Sequence, residues 1–142
     1  MSIIARTGST PWDGQVIAGG TPFVPIDEDS AFATYERQGV TCTVAYETGR
    51  SYHYLRFCPA WQLPRGARDE RAWRRFVFGL DDDRALELHM DPADGEVRYS
   101  YSETPLDDAD DLARSIEAGL ELVCGMYPKV VAYVAGQLGV EG

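Results

Sequence analysis

Two stretches in which apolar and polar residues alternate one by one, each broken by a glycine-bearing turn, restrict the fold of this chain more than any other feature. Val40, Cys42, Val44 and Tyr46 alternate with Thr41, Thr43, Ala45 and Glu47, and Ser51 to Cys58 follows as a second β-rich run. A period of two sends one set of side chains to a buried sheet face and the other set to the opposite face. Gly49-Arg50 reads as a two-residue turn with glycine first, which sets Val44 opposite Leu55, Cys42 opposite Phe57 and Tyr46 opposite His53. One face then becomes uniformly apolar. Tyr52, Tyr54 and Arg56 join Thr41 and Thr43 on the other, and a slip by one residue would mix the two sets.

The pattern recurs further along. Leu86, Leu88 and Met90 alternate with Glu87 and His89, Asp91-Pro92-Ala93-Asp94-Gly95 supplies turn residues, and Val97, Tyr99 and Tyr101 alternate again. Between the hairpins, Trp73, Phe76, Val77 and Leu80 fall at i, i+3, i+4 and i+7, the stripe of an amphipathic helix from about Asp69 to Phe78. After them, Asp107, Asp108, Asp110 and Asp111 load a helix start, where the dipole favours carboxylates. Leu112, Ile116, Leu120, Val123 and Tyr127 form that helix's apolar stripe, Pro128 is expected to kink or restart it, and Gly139 to close it. The order hairpin, helix, hairpin, long broken helix predicts an α+β domain, an antiparallel sheet of two hairpins with helices packed on one face.

The first 29 residues read differently. Glycines and prolines interrupt every short apolar run there, which predicts an irregular N-terminal arm with at most one short strand around Gln15 to Ala18, ahead of a single domain over residues 30–142. Ser30 to Gln38, with Phe32 and Tyr35 three apart, predicts a short helix ended by Gly39.

Composition narrows the function classes. With 142 residues, 44% of them apolar, the chain can bury one core without disulfide or metal. Cys42, Cys58 and Cys124 are odd in number and no secretory leader precedes them, which implies reduced thiols in a cytoplasmic protein. No run approaches the roughly 20 apolar residues of a membrane span, so no membrane is expected. A net charge of −10 repels phosphate backbones, so no nucleic acid is expected either. One basic cluster, Arg65, Arg68, Arg71, Arg74 and Arg75, interrupts the acidic field. It reads as a solvated helix face with its approach loop, or as a binding patch.

The templates of catalysis and ligation fail on nameable residues. A calcium loop with Gly95 at its sixth position would begin at Met90, which offers no oxygen ligand. The isolated cysteines lack the paired spacing of a zinc site. Asp81-Asp82-Asp83 marks a solvated loop. His53 and Cys58 fall on opposite strand faces, and although Cys42 shares a face with His53, small buried cysteines are ordinary core residues. No nucleophile elbow, phosphate loop or dinucleotide fingerprint occurs. Among 23 acidic residues no pair stands out for acid–base work, which leaves an enzyme with an unrecognised carboxylate site as an open alternative. No cofactor is implied. The aromatic content does stand out, with eight tyrosines and three tryptophans, and Tyr52 and Tyr54 fall opposite the predicted core as either a second core or an interface.

The stretch Leu86 to Gly136 resembles the YbjN family, whose fold is like that of the class I chaperones of type III secretion. The shared order is a strand, an Asp-Gly-centred turn, a strand reading Glu-Val-Arg-Tyr, and a long helix ending near a Tyr-Pro step. Asp91, Asp94, Gly95, Glu96, Val97, Arg98, Tyr99, Tyr127 and Pro128 are the matching positions. Family members open with a long amphipathic helix, where this chain has its glycine- and proline-rich arm. The resemblance implies a non-enzymatic, chaperone-like or regulatory bacterial protein with no catalytic residues to carry over.

Together these readings predict a protein-binding module, with a protein partner and a homodimer as expected assemblies. Tyr52, Tyr54, Arg56, Arg71, Arg74 and Arg75 are the candidate partner-binding residues. An acidic immunity or inhibitor protein docking on a basic partner is the alternative.

Overall fold

The computed structural model describes residues 10–48, 53–103 and 108–139, with the side chains of 101–103 left aside. Its strands are β1 (Val24–Asp27), β2 (Ser30–Arg37), β3 (Val40–Thr48), β4 (His53–Cys58), β5 (Leu88–Met90) and β6 (Val97–Glu103), and its helices α1 (Glu70–Gly79) and α2 (Ala109–Leu138). The strands form one antiparallel sheet in the order β1-β2-β3-β4-β6-β5. The first four make a meander. The chain then leaves through α1, reaches the far edge as β5 and returns as β6 beside β4.

The α+β architecture is as the sequence predicts, but the sheet has two strands more than the two hairpins supply. Ser30 to Arg37 is a strand, not a helix: Ala31, Ala33 and Tyr35 are buried while Phe32, Thr34 and Glu36 are not. Phe32 and Tyr35 therefore lie on opposite faces. Gln38 and Gly39 both take positive φ, 51° and 80°, as the two central residues of a type I′ hairpin turn must. Gly39 turns a hairpin instead of ending a helix.

The strand of the N-terminal arm is β1, not Gln15 to Ala18. Asp27 closes the β1–β2 turn, its Oδ1 accepting from the Asp29 N–H at 2.8 Å and the Ser30 hydroxyl at 2.9 Å. Those two bonds hold its carboxyl below the ordinary carboxylate range. Trp12, Ile17 and Phe23 of the arm belong to the main core, where Trp12 sets its ring edge on Tyr46 and the Tyr35 hydroxyl donates to the Ile17 carbonyl at 2.8 Å.

The β3–β4 register differs by two residues from the predicted one. Val44 pairs with Phe57, Tyr46 with Leu55 and Thr48 with His53, so four residues, 49–52, connect the strands in place of two. An even shift preserves the faces, and Cys42, Val44, Tyr46, Leu55 and Phe57 are all buried together. The predicted turn at Gly49-Arg50 lies outside the described residues.

Both helices and the arm cover that same face. On α1, Asp69 caps the start by accepting from the Arg71 N–H, and Trp73 and Val77 are buried. Trp73 Nε1 donates to the Leu88 carbonyl at 3.1 Å, fixing the helix to β5. Before β5, Leu86 belongs to a 3-10 turn over Asp83–Glu87 and not to the strand. In the β5–β6 turn Gly95 has φ of 79°, and a β-carbon there would collide with the Leu63 carbonyl, so only glycine fits.

The last helix is continuous. Capped by Asp108 and closed by Gly139 at φ of 70°, α2 runs for 30 residues through Pro128, which neither breaks nor restarts it. Pro128 is on the exposed side of α2, so the hydrogen bond that its ring nitrogen cannot donate is lost away from the apolar stripe, which stays seated. By length and composition alone α2 is long and apolar enough to cross a membrane, although Glu121 and Lys129 interrupt its apolar residues. Leu112, Ile116, Leu120, Val123 and Val130 are buried within the domain core, which accounts for that composition.

Candidate functional site

Placing helices and arm on one side leaves the other side of the sheet bare among the described residues. Registry defines its rows: Phe32, Ala45, Arg56 and Ser100 lie across four strands, flanked by Thr34, Thr43 and Cys58 on one side and Glu47 and Tyr54 on the other. Tyr54 is 36% exposed and Val24, paired with Phe32, is 47% exposed. Arg56 forms an ion pair with Glu47 at 3.2 Å on this surface. Tyr54 and Arg56 thus stand opposite the core, on the face their parity predicts. Tyr52 lies outside the described residues.

The arginine cluster of the sequence divides into two parts. Arg68 is structural, with Nε donating to the Leu63 carbonyl at 2.7 Å and a terminal nitrogen to the Ala93 carbonyl at 3.3 Å, so it ties the β5–β6 turn to the preceding loop. Arg71, Arg74 and Arg75 are exposed on α1. They share a stripe with Phe78, at i, i+3, i+4 and i+7, next to the buried stripe of the helix. Phe78 is 73% exposed, the largest exposure of any large apolar side chain among the described residues. Arg74 is paired with Glu70 at 3.2 Å. Among the described residues, Arg71 and Arg75 have no acidic partner within ion-pair distance.

Beside that stripe a groove of about 340 Å³ opens between α1 and β5. Its floor is Trp73, Val77, Leu88 and Met90, its outer wall Phe78 and Leu86, and Glu70, Arg74 and His89 stand at its rim. Phe78 and Leu86 are the residues that the sequence reading missed. The signal for Phe78 was its spacing from Arg71, Arg74 and Arg75. Leu86 was concealed because alternation placed it in a strand.

The chemistry of the titratable groups is subdued. Burial pushes the Cys42 thiol up to about 12, and desolvation raises Cys58 and Cys124 as well, so all three are protonated thiols near neutral pH. Cys42 is not the strand neighbour of His53 in the observed register; the His53 Nδ1 is hydrogen-bonded to the Tyr46 hydroxyl instead. Asp82, in the Asp81-Asp82-Asp83 run, accepts from Arg84, whose guanidinium and N–H hold the carboxyl below its usual range. Among the described residues no group of three or more His, Cys, Asp or Glu side chains is arranged to hold a metal ion.

No family model matches the chain, and no curated protein or solved structure matches it either.

Proposed function

We propose that this chain is a non-enzymatic protein-binding module, chaperone-like or regulatory in its role. The observation that carries the reading is the one-sided construction: every described covering element lies on one face of a six-stranded sheet, and Tyr54, Arg56, Phe32 and Val24 stand on the other. An exposed sheet face with an aromatic residue and an arginine has the composition that protein interfaces favour. The YbjN resemblance of Leu86 to Gly136 supports the chaperone-like form, and the raised thiols give the chain no activated cysteine nucleophile.

The test uses the full chain as bait in a bacterial lysate, beside the double variant Tyr52→Ala with Tyr54→Ala. A protein retained by the native chain and lost by the variant, at a melting temperature close to the native value, supports the reading. Aromatic-to-alanine truncation in a core costs about 3–5 kcal/mol. A loss of that size with unchanged sedimentation mass would sink the interface reading and make the tyrosines structural.

A further inference from the structure

The α1–β5 groove differs in chemistry from the open sheet face. We propose that it docks an acidic, extended segment of a partner protein, which inserts an apolar side chain between Val77 and Phe78 and sets its carboxylates on Arg71, Arg74 and Arg75. This goes beyond the protein-binding reading and rests on it.

Three observations converge on that occupant. The first is charge. In a chain of net charge −10, three exposed arginines share one stripe of α1 with Phe78, and of them Arg74 lines the groove, so this stripe favours the sign of partner that the net charge repels. Arg71 and Arg75 are left without an acidic partner among the described residues, and a guanidinium binds carboxylates through a planar fork of donors.

The second is shape. A volume of about 340 Å³ is within the size range of binding pockets, and its apolar floor with a few polar groups at the rim is their usual composition. The Phe78 ring, 73% exposed, forms one wall and has nothing described over it. Glu70 sits at the same rim, where Arg74 neutralises it at 3.2 Å.

The third is the backbone of β5. Val97 donates its N–H to the Trp61 carbonyl at 3.1 Å, away from β5, so its partner Met90 turns its own N–H and C=O to the outer edge, as the alternation of an antiparallel ladder requires. At the other end of the strand, the Leu88 C=O is taken by Trp73 and the Leu88 N–H by the Ala85 carbonyl. Among the described residues the edge therefore offers one donor and one acceptor, at the residue that also lines the groove. An extended chain can use both, whereas a helix, its backbone already bonded internally, can use neither.

The probe is a fluorescein-labelled octapeptide alternating glutamate with leucine or phenylalanine, compared with the same peptide carrying lysine for glutamate, both titrated against the full chain by fluorescence anisotropy. The expected result is saturable binding of the acidic peptide, at least about tenfold tighter than the basic one and weakening with added salt. Phe78→Asp and Arg71→Glu with Arg75→Glu should each reduce that affinity by about tenfold or more, as loss of an anchor at a small interface does. Arg114→Glu, a charge reversal of the same kind on the exposed start of α2, should leave it unchanged. Melting curves confirm that each variant is folded, and the arginine pair serves if Phe78→Asp is not. Equal affinity for the two peptides, no saturable binding of the acidic one, or undiminished binding by the arginine variant would overturn the proposal. A homodimer of the free chain that Phe78→Asp dissociates would also overturn it, by placing a second copy in the groove. If the peptides fail while the lysate partner is still lost with Tyr52→Ala and Tyr54→Ala, only the groove assignment falls. If no partner is retained at all, the protein-binding reading falls with it.

Discussion

The ring of Phe57 on β4 occupies the space that a β-carbon on Gly119 of α2 would need. The long helix approaches the centre of the sheet only because that residue has no side chain. Gly125, six residues on, has nothing within 4 Å of the same virtual position. Two substitutions of one kind should therefore act in opposite directions. Gly119→Ala should destabilise the domain by about 1–3 kcal/mol through overpacking, while Gly125→Ala should stabilise it by roughly 1 kcal/mol through helix propensity. Urea denaturation midpoints measure both, and equal gains at the two sites would mean that the helix stands further from the sheet.

The end of α2 is held by aromatic contacts. Tyr133 stacks on Phe76 at 4.5 Å between ring centroids and meets Trp73 edge-on at 5.5 Å, and Val130 is buried beside them. Removing residues 128–142 should cost at least about 3 kcal/mol, from one buried valine and the lost aromatic pairs. An unchanged denaturation midpoint would show that this segment is not docked. Pro128→Ala, which restores a backbone hydrogen bond in a continuous helix, should instead raise the midpoint.

Alkali should unfold the protein through its buried acids. The native Cys42 thiol keeps its proton up to about 12, whereas an unfolded thiol loses it from the ordinary value of 9.0. Between those values the unfolded state binds fewer protons than the native one, so stability falls as pH rises. Cys58, Cys124, Tyr35, Tyr46 and Tyr99 are shifted in the same direction by desolvation. Denaturation midpoints should decline above about pH 9, and Cys42→Ala should make the decline shallower. A midpoint flat to about pH 11 would contradict the burial of these groups.

The Gln38-Gly39 turn supplies a further check. Gly39→Ala places a β-carbon at φ of 80° and should cost about 1–2 kcal/mol, although nothing crowds the site. Gln38→Asn, a residue more at ease at positive φ, should give a small gain. The same stability for Gly39→Ala as for the native chain would be inconsistent with a type I′ turn.

Where periodicity was carried by bulky residues, the fold could be read directly from the chain. Trp73, Phe76, Val77 and Leu80 marked α1 within a residue of its ends, and the Asp-Gly turn before Val97 placed the β5–β6 hairpin. β2 escaped because its buried positions include Ala31 and Ala33, which are nearly silent on a hydrophobic scale, and because Phe32 and Tyr35 mimic a helical spacing. The faces of β3 and β4 were legible while their register was not, since an even slip leaves every side chain on its own face. The arm was unreadable for another reason: Trp12, Ile17 and Phe23 reach the core singly from irregular backbone, with no period to follow. Of the candidate surfaces, the arginines of α1 were visible as a run. The groove beside them was not, because it needs β5 brought alongside the helix by the chain's return path.

The two ends of the sheet have a consequence for how such chains can assemble. At β1, Pro25 lacks an N–H, and the arm's Gly14 and Gln15 already bond to Phe23 where the strand begins. At β5 the Trp73 indole has taken one of the outward carbonyls. Edge-to-edge stacking into fibrils needs two complementary open borders on every subunit, and among the described residues this sheet retains a single short one. A strand accepted there would end the growth, because among the described residues polymerisation through the sheet has no second border to continue from.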